Sequence, residues 1–162
     1  MNMDIADQES LAEREDAGLA VEIDDVKGQP ALQEDGVTPI TISVVGSLSK
    51  RYRRVVALAR GRNQRKAIAS LRDKAPTRGS AVDQDAEDEA TGQQLLDEQT
   101  EAVAACCAGW SAGFTDKGVD YPFTKANAVR LLKAYPHIQA KLEKEMENHA
   151  RFFDASSTSS PT

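Results

Sequence analysis

Large apolar residues are scarce over residues 1–18, a polar and acidic stretch that predicts a disordered arm or a frayed helix. A period of two first appears at Leu19-Ala20-Val21-Glu22-Ile23, a short strand, and a turn follows from Asp24 to Gly28. The same period returns more strongly at Ile40-Thr41-Ile42-Ser43-Val44-Val45, where Ile40, Ile42 and Val44 share one face. Two such strands make a β ribbon. An isolated ribbon is marginal in water, so it needs a helix or a partner subunit over its apolar face.

The period then lengthens. Gly46-Ser47 reads as a turn and an N-cap, and a helix is expected from Leu48 to about Asp73. Leu48, Tyr52, Val55 and Ala59 form its apolar stripe, and Gly61 marks a potential break. Residues 75–84, with Pro76, Gly79 and Ser80, read as a linker. A further helix is expected from about Asp85 to Gly109, opened by acids that suit a helix N-terminus and ended by Trp110. Its apolar positions include Leu95, Leu96, Ala102, Val103 and Cys106. Residues 111–123 read as a loop.

Thr124 is a good N-cap for a helix over Lys125–Ala134, with Phe123 placed to staple against Ala128. Pro136 suits the first turn of a last helix, which carries Ile138, Leu142, Met146 and Ala150 every four residues and runs to about Phe153. Residues 154–162, rich in Ser and Thr, are expected to be disordered. The fold class that follows is mainly α with a small N-terminal β ribbon, an α+β chain with a helical C-terminal head. Its units are an acidic arm (1–18), a ribbon with a basic helix (19–74), the linker, a helical domain (85–153) and the tail.

Composition narrows the function. With 40% apolar residues, many of them alanine, and 5% aromatics, the core is thin for 162 residues. No apolar run approaches the roughly 20 residues of a membrane span, and the acidic start does not resemble a signal peptide, so a cytoplasmic protein is expected. The net charge of −6 conceals a segregation. Residues 1–46 carry eleven acids and two bases, 50–78 eleven bases and one acid, and 79–101 eight acids and no base. Internal pairing of the blocks is plausible.

Candidate chemistry is sparse. Cys106 and Cys107 are adjacent, and neighbours on a helix point about 100° apart, so they read as small apolar residues. His137 and His149 lie more than three turns apart on one expected helix, too far to share a metal. The acids at 83–89 lack the glycine and terminal glutamate of a calcium loop, and no glycine-rich phosphate loop occurs. No catalytic, metal or cofactor site is expected, and the chain does not read as an enzyme. The arginines of the basic helix, with Tyr52, suit phosphate and base contacts. They surround the helix instead of lining one side, and acidic flanks compete for them, so nucleic-acid binding is disfavoured. Trp110, Phe114, Tyr121, Phe123, Tyr135, Phe152 and Phe153 are concentrated near the C-terminus, more aromatic surface than a small helical unit buries easily.

The run Gly109-Trp110, Gly118, then Tyr121-Pro122-Phe123-Thr124-Lys125-Ala126-Asn127 and on to Leu131-Leu132, with Pro136, Ile138, Ala150 and Phe152-Phe153, resembles the C-terminal region of phage tail assembly chaperones. Val44-Val45-Gly46 leading into Ser49-Lys50-Arg51-Tyr52-Arg53 is similar to their earlier part, so the resemblance covers about residues 19–153. It implies a protein of the host cytoplasm, absent from the mature virion, that holds the long hydrophobic tape-measure protein soluble and recruits tail-tube subunits. In many such phages a ribosomal frameshift also yields a longer form. On this reading Trp110, Phe123, Leu131, Leu132, Ile138 and Met146 build a head whose groove takes the tape-measure segment. Arg51, Tyr52 and Arg54 on the basic helix, with the N-terminal strands, engage tube subunits or another copy of the chain. The competing classes are a phage regulator or inhibitor that binds nucleic acid through the basic helix, and a structural minor tail or connector protein.

Overall fold

The computed structural model describes residues 5–73 and 81–157. Its helices are α1 (Ile5–Ala17), α2 (Lys50–Asp73), α3 (Ala81–Cys106), α4 (Lys125–Ala134), α5 (Pro136–Glu147) and α6 (His149–Ser157). Its strands are β1 (Leu19–Glu22), β2 (Thr41–Val44), β3 (Cys107–Trp110), β4 (Thr115–Asp116) and β5 (Val119–Asp120). The class is α+β and mainly α, as the apolar periods require.

The ribbon forms at the expected positions. β1 and β2 pair antiparallel with Leu19 opposite Val44 and Val21 opposite Ile42, so the alternating side chains share one face. Leu19, Val21, Ile40, Ile42 and Val44 are all buried. A third strand, β3, joins the other edge of β2 with Ile42 opposite Trp110 and Val44 opposite Cys107, the register shifting between Ser43 and Val44. The sheet order is β1-β2-β3, and the helices supply the cover that a bare ribbon lacks.

Several expectations are corrected. The acidic arm, read as disordered or as a frayed helix, forms α1, and Glu15 within it is wholly buried. Helix α2 is capped by Ser49, not Ser47: the buried Ser49 hydroxyl accepts from Tyr52 N–H at 3.1 Å. α2 passes Gly61 without a break, because the helical hydrogen bonds on either side hold that single glycine. Trp110 does not end a helix; α3 stops at Cys106 and the chain continues straight into β3. The expected loop over 111–123 contains the β4–β5 hairpin, whose turn residues Lys117 and Gly118 both have positive φ, the signature of a tight two-residue turn. The last helix splits at Asn148 into α5 and α6. Leu95 and Leu96 are exposed rather than packed. Most of the linker expected at 75–84 and the end of the tail expected at 154–162 lie outside the described residues.

A boundary near residue 75 does not divide two cores. One cluster joins Leu19, Val21, Ile23, Ile42 and Val44 to Val103, Cys107, Leu132, Ile138, Leu142, Met146 and Phe152. Each large side chain there contributes about 1.5–3 kcal/mol by leaving water. The core sits where the sheet meets the inner end of α3 and the α4–α5–α6 corner. Helices α2 and α3 lie beside each other, and their outer parts are exposed and stand clear of it.

Candidate functional site

The segment Tyr121–Asn127 builds a rigid corner. Thr124 is extended and its hydroxyl accepts from Asn127 N–H at 3.0 Å, which caps α4. The Asn127 side-chain amide donates back to Pro122 O at 2.8 Å, so two groups at the helix start are tied reciprocally, as in a capping box. The Tyr121 hydroxyl donates to Asn127 O at 3.3 Å. These bonds explain why a Pro-Phe-Thr-x-x-Asn run starts a helix here.

Trp110 stands on this corner. Its indole N–H donates to Tyr121 O at 3.0 Å. Its ring stacks on Tyr121 (centroids 5.7 Å apart), meets Phe123 edge-on (5.0 Å) and leans on Phe114 (4.9 Å). All four rings are partly buried against the core. Phe123 thus packs on Trp110 as well as preceding the α4 cap. The aromatic cluster holds the β4–β5 hairpin against α4, assisted by the Arg130–Asp116 ion pair at 2.9 Å.

Between this hairpin, the chain after β1 and the α4–α5 corner lies a cleft of about 450 Å³. Ile23, Ile40, Leu131 and Ile138 form its floor, and Phe114, Tyr121 and Tyr135 its walls. The rim is polar: Asp24, held to Lys141 at 2.5 Å, Asp25, and the Arg130–Asp116 pair. Such a volume, apolar inside with polar groups at the edge, suits one to a few apolar side chains of a partner.

The structure brings only some of the expected residues to this place. Leu131 and Ile138 line the cleft, and Trp110 and Phe123 support its wall from behind. Leu132 and Met146 lie in the core and do not line this cleft. Ile23, Ile40 and Tyr135 complete the cleft. Sequence reasoning left them out because nothing local tells a strand residue on the core face from one at the edge of a groove.

Arg51, Tyr52 and Arg54 lie elsewhere, at the start of α2. The Arg51 guanidinium donates to Ala105 O at 2.7 Å and Cys107 O at 2.9 Å, satisfying carbonyls where α3 gives way to β3. Tyr52 packs on the core, and Arg54 points to solvent. A third polar constellation had no sequence signal, since its members are far apart in the chain. The Glu15 carboxylate accepts from Leu48 N–H at 2.6 Å and meets His149 Nδ1 at 2.6 Å, tying α1 to α6 and to the turn before α2. Cys106 and Cys107 are buried free thiols, and burial pushes them up to about 11 and about 12. Among the described residues no group of His, Cys, Asp or Glu is arranged to hold a metal ion, and no helix is long and apolar enough to cross a membrane.

No curated protein and no solved structure matches the chain. A family model described as phage tail assembly chaperone matches residues 38–150. That span runs from just before β2 to the start of α6, taking in the Trp110 cluster, the α4 corner and most of the cleft. Well over half of the sequence is covered, and the chain therefore belongs to the phage tail assembly chaperones, a family that is not a class of enzyme.

Proposed function

We propose that this chaperone keeps the tape-measure protein soluble by receiving an apolar helical segment of it in the cleft, and that it recruits tail-tube subunits to that complex in the host cytoplasm. The observation that carries the reading is the cleft itself: an apolar floor of Ile23, Ile40, Leu131 and Ile138, held open by a braced aromatic wall. A helix lays its i, i+3/i+4 and i+7 side chains into a groove of this kind, with the rim charges meeting its polar flanks. The floor is built from the edge of the sheet, the capped helix α4 and the start of α5, so it is pre-formed, and little ordering opposes binding.

Co-expression with the tape-measure protein tests the assignment. Ala134 lines the cleft and is exposed, so Ala134→Glu places a charge in the groove without emptying the core. The expected outcome is loss of soluble tape-measure protein while the variant chaperone itself stays soluble and helical. Unchanged tape-measure solubility would rule out the cleft as the receiving site. Mass spectrometry of purified virions checks the assembly role: the chaperone is expected to be missing from them.

A further inference from the structure

Helix α2 carries nine bases, and its only acid is Asp73 at the very end. Its inner side is occupied: Tyr52 and Val55 pack on the core, and Lys66 pairs with Glu98 of α3 at 2.6 Å. At about 100° per residue, Arg54, Leu58, Gly61, Arg65, Ile68 and Arg72 fall within about 80° of one another, and the middle of this stripe lies about 120° around the helix from Lys66. The spacing runs four, three, four, three, four, which is that of a seam receiving another helix. Leu58 and Ile68 are 58% and 47% accessible, and the three arginines are exposed. A side chain added at Gly61 would meet nothing within 4 Å, so an incoming backbone can approach closely there.

The stripe borders two hollows that meet at Arg65. The inner one, about 250 Å³, lies between α2 and α3, with Val55, Leu58, Ala102 and Ala105 as its apolar lining. The outer one, about 320 Å³, is a notch along α2 itself, beside Ile68, Ala69 and Arg72. Together they follow α2 from Val55 to Arg72, about 25 Å or nearly five turns. Charge along this trough is one-sided. Arg62, Arg65, Arg72 and Lys125 line it against the single acid Glu101. Among the described residues none of these four cations is in an ion pair. Arg62 and Arg65 are one turn apart, and like charges at that spacing oppose the helix. An anionic occupant removes that repulsion.

We propose that the trough along α2 is a docking site for an acidic amphipathic helix of a partner protein. Its apolar residues seat on Leu58 and Ile68, and its carboxylates reach Arg62, Arg65, Arg72 and Lys125. The seam selects a helix over an extended peptide. The apolar lining selects a protein over nucleic acid, whose phosphates gain nothing from Leu58 and Ile68. A contact of one helix along about 25 Å is small, so binding is reversible and sensitive to salt. The site is separate from the cleft and stands whether or not the cleft receives the tape-measure protein.

Fluorescence anisotropy with the full chain tests it. The probe is a labelled synthetic peptide of about 18 residues, enough to span the trough, with leucines at the four-three spacing and glutamates beside them. It is expected to bind with a Kd below about 100 μM at about 50 mM salt and at least tenfold more weakly at about 500 mM, where the screening length is near 4 Å. Arg65→Glu with Arg72→Glu is expected to weaken binding at least tenfold with an unchanged circular dichroism spectrum. Arg53→Glu with Arg60→Glu makes the same change of charge on the same helix but off the stripe, and is expected to weaken it less than threefold. Absence of binding overturns the proposal, as do equal losses in the two double variants. Equal binding of a scrambled peptide of the same composition shows attraction by charge alone, and equal binding of a duplex DNA of about 18 base pairs makes the trough a nucleic-acid site; either result overturns it. So does peptide binding that declines as the chain's sedimented mass rises, since a second copy then fills the trough.

Discussion

At the scale of single residues, the tightest constraint is around Glu15. Its carboxylate lies over Gly46, where an added Cβ would come within 2.2 Å of Oε2, and both of its oxygens are already engaged. Gly46→Ala therefore forces out a buried carboxylate bonded to Leu48 N–H and His149. The expected loss of stability is about 1–3 kcal/mol, read from denaturant melts. In a Glu15→Ala background the same substitution is expected to cost clearly less, because the two side chains compete for one space; additive losses would show that they do not. The buried thiols make a second point. With pKa values raised to about 11 and about 12 by burial, Cys106 and Cys107 hold almost no thiolate at pH 8. Iodoacetamide at pH 8 is expected to leave the native chain unmodified and to label both thiols after denaturation. Rapid native labelling would show that the end of α3 opens.

At the scale of elements, α3 is held at its inner half by charge. The Lys133 ammonium beside Asp97, and the Lys66 ammonium beside Glu98, hold both carboxyls below the usual carboxylate range. A lowered folded-state pKa means the native chain binds fewer protons than the unfolded one, so the contribution is complete above about pH 4 and is lost as pH falls further. Amide protection along α3, taken relative to the intrinsic exchange rate at each pH, is expected to fall below about pH 4 in the wild type. In Asp97→Asn the acid sensitivity of the α3–α4 contact is expected to diminish; an identical pH profile would remove the ion pair from the account. The legibility of elements follows their local chemistry. The starts of helices α4 and α5 could be placed closely because Thr124 and Pro136 act through their own backbone neighbours. Strand β3 could not, since Cys107-Ala108-Gly109-Trp110 has no β-branched residue and its pairing partner is more than sixty residues upstream. The cap of α2 was misplaced by two residues because Ser47 and Ser49 are equally good locally; burial of Ser49 against the core decides between them.

At the scale of the whole molecule, residues 38–150 are the part shared with the family model, yet the fold does not close within them. β1 lies outside that span and contributes Leu19 and Val21 to the core, and α1 and α6 clasp through Glu15 and His149. A fragment of residues 38–150 is expected to lose cooperative unfolding and to bind hydrophobic dyes, measured by thermal melting and dye fluorescence. A sharp native-like melt would show that β1 and α1 are dispensable. The cleft was legible only in part for a related reason. Leu131 and Ile138 sit at helical spacing and could be picked out, but Ile23 and Ile40 reach the same floor only because the ribbon folds beneath α5. The cleft, too, loses Ile23 without the N-terminal segment, although the corner around Thr124 is untouched.

The chain order of the sheet carries a further consequence. β2 and β3 are immediate neighbours, yet the whole of α2 and α3 is inserted between them, leaving and re-entering the body at adjacent points. The projecting arm is therefore a topological cassette. Matched turns could be trimmed from its two limbs, or a different tip grafted on, while the register that seats Val44 beside Cys107 stays as it is. The reach of the arm can then vary between relatives independently of the body that carries it.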